Sequence, residues 1–118
     1  MSIDPLFSRQ YDRQAYNCAH FLVDAWRHVI GEDLGDRLAG FLRPPAGRRV
    51  DWGQRHGFVR LDRPRSPCIV VMQRPRTVPH VGMFYRGRVL HLHEGGVEFQ
   101  PVDVASRGFR QLRYYECL

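Results

Sequence analysis

Cys18 opens an amphipathic stretch, Asn17-Cys18-Ala19-His20-Phe21-Leu22-Val23-Asp24-Ala25-Trp26, and about sixty residues later comes His80-Val81-Gly82-Met83-Phe84-Tyr85. The first amide groups of a helix have no intrahelical partner, and the helix dipole is positive at that end. A cysteine placed there is expected to have a depressed pKa and to serve as a nucleophile. A histidine on a strand is held at a fixed direction and depth, which suits a general base for that thiol. A third polar group must then fix the imidazole tautomer and stabilise the imidazolium. His91 and His93 lie on one face of the next strand, and parity leaves both open. The chemistry expected is a thiol hydrolase or transferase with a Cys–His–His triad and no cofactor. His80, His91 and His93 could alternatively hold zinc. Zinc gives no account of a thiol at a helix start, so no metal is expected.

The elements that must position these groups follow from periodicity and turn residues. Residues 1–16 read as an irregular or briefly helical lead-in, with Pro5 as a breaker. Phe21, Leu22, Ala25, Trp26, Val29 and Ile30 recur at helical spacing, with Asn17 as N-cap and Gly31 just past the C-terminus. Cys18 shares the face of Phe21, Leu22, Ala25 and Val29, which must pack on a sheet. His20 lies on the other side and is not expected to be the base. A second short helix is expected over Asp33–Leu42, stopped by Pro44-Pro45. Arg43–Pro67 then reads as a short helix or turn near Val50–His56 followed by loop. Cys68–Gln73 is an apolar, β-branched strand. Val81–Tyr85 and Arg88–His93 flank a tight Arg86-Gly87 turn. Gly95-Gly96 makes the next turn, Val97–Pro101 a further strand and Phe109–Cys117 the last. Helices first and an antiparallel meander after them make an α+β fold in one domain, 1–118.

With 118 residues, 43% of them hydrophobic and 25% charged, the chain suits one globular domain. No apolar run reaches the roughly 18 residues of a membrane helix, so no membrane span is expected. The N-terminus has neither a basic nor an apolar signal segment, so synthesis in the cytoplasm without a signal peptide is expected. The net charge of +6 comes entirely from arginine, and only Arg48-Arg49 are adjacent. Dispersed arginines without a basic helix or zinc-finger spacing give no nucleic-acid signature. Cys18, Cys68 and Cys117 are odd in number and widely spaced, which is neither a disulfide framework nor a CxxC site.

The order of a capped cysteine opening a helix, His80-Val81-Gly82-Met83-Phe84-Tyr85, a turn, and Arg88-Val89-Leu90-His91 resembles the NlpC/P60 cysteine peptidases. The likeness runs from Tyr11 to about Pro101. It implies a papain-like fold, with Cys18 as nucleophile, His80 as base and His91, rather than His93, as the orienting residue. Tyr11 or Tyr16 would then serve the oxyanion, and His93 would meet substrate or solvent. Asn17-Cys18-Ala19-His20 stands where that family usually has Asp-Cys-Ser-Gly. The same segment is similar to the cysteine box of the lecithin:retinol acyltransferase-like families, in which the histidine strands precede the cysteine. The compact size resembles peptidase-like proteins of phage tails and prophages. Cleavage of an amide in peptidoglycan stem peptides is the function implied, in a protein carried by a virion or delivered to the periplasm, with phage tail proteins as partners. Acyl transfer or thioester cleavage at the same site, or a tail-assembly role without catalysis, are the alternatives.

Overall fold

The computed structural model describes residues 2–35, 38, 58–75 and 79–117. After a single 3-10 turn at Asp4–Ser8, helix α1 spans Cys18–Ile30. Six strands follow: β1 (Phe58–Leu61), β2 (Cys68–Gln73), β3 (His80–Tyr85), β4 (Arg88–His93), β5 (Gly96–Pro101) and β6 (Gln111–Cys117). They form one antiparallel sheet in the order β1-β6-β2-β3-β4-β5. The fold is therefore α+β, with β2 to β5 as a meander and β6 returning beside β2.

α1 begins where expected because Asn17 caps it. Its side-chain oxygen accepts from the amides of Ala19 and His20 at 3.0 and 3.4 Å. His20 completes a capping box, with Nδ1 accepting from the Asn17 amide at 3.1 Å. His20 thus helps close the helix end that carries Cys18. Gly31, at φ 86°, ends the helix in the left-handed region.

Phe21, Leu22 and Ala25 are fully buried against Ile69, Val81, Met83, Leu90 and Leu92. Burial of each large side chain contributes roughly 1.5–3 kcal/mol relative to exposure. On the opposite face of the sheet, Cys68, Val70, Met72, Phe84 and Val89 pack with Ala105 of the helical turn Val102–Ala105. The β3–β4 hairpin closes on Arg86 (φ 49°) and Gly87 (φ 80°), the paired positive values of a two-residue turn that follows sheet twist.

Several expectations change. Phe58–Leu61 is a strand, not loop, and pairs with β6 at the sheet edge. Pro5 lies at the second position of the N-terminal turn, which begins at Asp4, instead of breaking it. The β4–β5 turn is Glu94-Gly95, with Gly96 already paired to His93. Of the second helix, Gly35 and Leu38 are helical, and Leu34 and Leu38 are buried. The rest of Asp33–Leu42 and the turn near Val50–His56 lie outside the described residues.

Candidate active site

Cys18 is the first residue of α1 and packs on the helix-side core. Its thiol lies against the backbone N–H of Val81, the residue after His80. The expected depression of its pKa is reversed. Burial pushes the thiol up, and the amides of Val81, Ala19 and Cys18 only partly offset this. A helix terminus acts within one turn at sub-kilocalorie to low-kilocalorie scale, whereas loss of water penalises a thiolate more heavily. Cys68, wholly buried in β2, is pushed up to about 11, again by burial first.

His80 enters β3 on the sheet face away from α1, with Gly82 and Phe84 on the same face. The β3–β4 pairing of Met83 with Leu90, continued by one residue, sets Gly82 opposite His91. A Cβ on Gly82 would lie 2.9 Å from His91 Cβ and 3.0 Å from the Leu90 carbonyl oxygen. Glycine therefore leaves the space into which His91 leans. His80 Nε2 and His91 Nδ1 are 2.9 Å apart, with the rings at 77°. Register alone does not select His91; the missing Gly82 side chain does.

On its other side His80 stacks on Phe109, with centroids 5.6 Å apart and planes at 14°. The Arg74 guanidinium lies 4.5 Å from the Phe109 centroid, and its Nε donates to the Gly108 carbonyl at 3.2 Å. Burial first, then the charges of His91, Arg74 and His93, lower the His80 pKa to about 3. Burial also lowers His91, opposed by its Gln100 hydrogen bond.

His91 Nε2 meets Gln100 Oε1 at 3.1 Å, Gln100 Nε2 donates to Glu98 Oε2 at 2.8 Å, and Glu98 Oε1 meets His93 Nε2 at 3.0 Å. The Gly95 amide donates to His93 Nδ1 at 3.0 Å. Both ring nitrogens of His91 and both of His93 are thus engaged. Among the described residues no group of three or more His, Cys, Asp or Glu side chains is arranged to hold a metal.

An open cleft of about 1010 Å³ brings Cys18, His80, His91, His93 and Tyr11 together. Arg13, Arg74 and Arg107 line it, and Glu94 is its sole acidic lining residue among those described. Tyr16 is elsewhere: its hydroxyl donates to Asp24 at 2.5 Å, and burial with that carboxylate raises its pKa. Among the described residues no hydrogen bond joins the Cys18 thiol to His80. The thiol packs with the helix-side core and the His80 ring lies on the other face of the sheet, and both line the cleft at the start of β3. Sequence reasoning missed Gln100, Glu98, Phe109 and Arg74. Glu98 and Gln100 share strand parity, which was the one available signal.

The chain matches no family model, no curated protein and no solved structure. The Cys18 thiol and an oriented His80 imidazole share one cleft of mixed polar and apolar lining, and burial disfavours the charged form of each.

Proposed function

We propose that this protein is a cysteine hydrolase of the NlpC/P60 type that cleaves a peptide amide in peptidoglycan stem peptides. The observation that carries the reading is the 2.9 Å contact between His80 and His91 on the wall of the cleft into which Cys18 opens. The three arginines suit a substrate rich in carboxylates, as stem peptides are.

His80 takes the thiol proton, and the Cys18 sulfur attacks the scissile carbonyl. The S–C bond forms as the carbonyl π electrons move to oxygen. The oxyanion is received by the Cys18 N–H and the Tyr11 hydroxyl; Asn17 already engages the Ala19 and His20 amides. Collapse breaks the C–N bond, the His80 imidazolium protonates the leaving amine, and water hydrolyses the thioester with His80 again as base. The starting pair is neutral, so proton transfer accompanies attack and does not precede it. Substrate must also close the thiol–imidazole gap, as catalytic hydrogen bonds often tighten only in the complex.

The unmade Cys18–His80 bond and the raised thiol pKa favour a second reading, a tail-assembly component that keeps the fold without catalysis. Turnover of a purified stem peptide by wild type, Cys18→Ala, His91→Ala and His93→Ala separates the two. The hydrolase reading expects loss in Cys18→Ala and His91→Ala. No turnover by wild type, or equal turnover by Cys18→Ala, would overturn it.

A further inference from the structure

We infer that Glu98 and Gln100 are positioning residues that set which nitrogen of His80 is left unprotonated, through a one-way hydrogen-bond relay anchored at the Gly95 amide. The relay is read from groups whose roles are not interchangeable. A backbone N–H only donates, so His93 Nδ1, 3.0 Å from the Gly95 amide, is an acceptor and the His93 proton sits on Nε2. That N–H donates to Glu98 Oε1, since a carboxylate only accepts. The second Glu98 oxygen takes the Gln100 amide N–H, which fixes the Gln100 side chain with its oxygen toward His91. His91 Nε2 must therefore carry a proton, and His91 Nδ1 must accept. His80 Nε2 is then the donor across the 2.9 Å contact, and His80 Nδ1 holds the free lone pair.

Space reinforces the anchor. A Cβ on Gly95 would lie 2.8 Å from His93 Cε1, so the turn glycine lets the ring lie over its own amide donor. In catalysis this assignment makes Nδ1 of His80 the base, a consequence that rests on the hydrolase reading. The tautomers themselves do not.

The same logic predicts what one isosteric change does. In Glu98→Gln the new side-chain oxygen must still face His93 Nε2–H, so its NH2 turns to Gln100. Gln100 then presents its oxygen to that NH2 and its own NH2 to His91 Nε2. His91 must move its proton to Nδ1 and donate to His80 Nε2, which forces the His80 proton onto Nδ1. Exchanging the two residues, Glu98→Gln with Gln100→Glu, restores an acceptor beside His91 and returns both rings to the original form.

The test is long-range 1H–15N correlation spectroscopy of the histidine rings above neutral pH, with no substrate present. The expected wild-type spectrum has Nε2–H on His80, His91 and His93. Glu98→Gln should switch His80 and His91 to Nδ1–H and leave His93 unchanged, and the exchanged double variant should revert them. Stem-peptide turnover should fall at least tenfold in Glu98→Gln and recover in the double variant. A wild-type His80 protonated on Nδ1 would overturn the inference, and this spectrum suffices even if Glu98→Gln fails to fold. So would a folded Glu98→Gln protein in which His80 keeps Nε2–H. If Cys18→Ala retains turnover, the hydrolase reading fails while the tautomer assignments stand on the spectra.

Discussion

Acidification from pH 7 to pH 5 should cost about 2 kcal/mol of stability through His80 alone. In the unfolded chain its imidazole takes up a proton as pH falls below about 6.5. In the folded chain, burial beside His91 and Arg74 holds it neutral down to about 3. Between those values the unfolded chain binds more protons, so stability is present above the unfolded pKa and is lost as pH falls. Each unit in this window is worth about 1.4 kcal/mol, which gives the figure at pH 5. Partial exposure of the ring makes it an upper value. His91, also lowered by burial, acts in the same direction. Asp12 and Asp33 have lowered pKa values and titrate below this window. The assay is urea unfolding at pH 7 and pH 5 for wild type and His80→Gln. The wild type should lose about 2 kcal/mol more than the variant over this interval. Equal losses would refute the claim that His80 is held neutral by its surroundings.

Iodoacetamide should label Cys18 before Cys68, which is wholly buried, and the Cys18 rate should rise about tenfold from pH 7 to pH 8 because the thiol titrates above this range. A fast, pH-independent rate in peptide-mapped labelling would reveal a preformed thiolate and contradict the raised pKa. Gly82→Ala should destabilise by roughly 1–3 kcal/mol and displace His91, since the added methyl would lie 2.9 Å from His91 Cβ and 3.0 Å from the Leu90 carbonyl oxygen; chemical denaturation and the His91 ring resonances check both. Asn17→Ala should cost about 1 kcal/mol of stability by urea titration, through loss of the cap on α1.

What was legible in the sequence was local. Asn17 and Gly31 bound α1 because capping is decided within a few residues. Arg86-Gly87 announced the β3–β4 turn because few dipeptides accept positive φ. Phe58–Leu61 was hidden because a four-residue edge strand with Val59 and Arg60 exposed carries no usable period. The insertion of β6 between β1 and β2 joins segments about fifty residues apart and leaves no mark in either. At the site, spacing and family resemblance point to Cys18, His80 and His91, and all three line one cleft. The sign of the Cys18 shift is not legible in the sequence, because a helix start is visible there whereas desolvation depends on how β3 packs over it. Gln100 and Glu98 were missed because their part depends on the β4–β5 register and on the Gly95 amide.

Covalent catalysis by Cys18 is read from the intact mass of the protein quenched in acid during turnover of a stem peptide. A transient increase equal to the acyl fragment is expected, mapped by digestion to Cys18 and absent from Cys18→Ala. Cleavage of the peptide with no such adduct, and undiminished in Cys18→Ala, would contradict it.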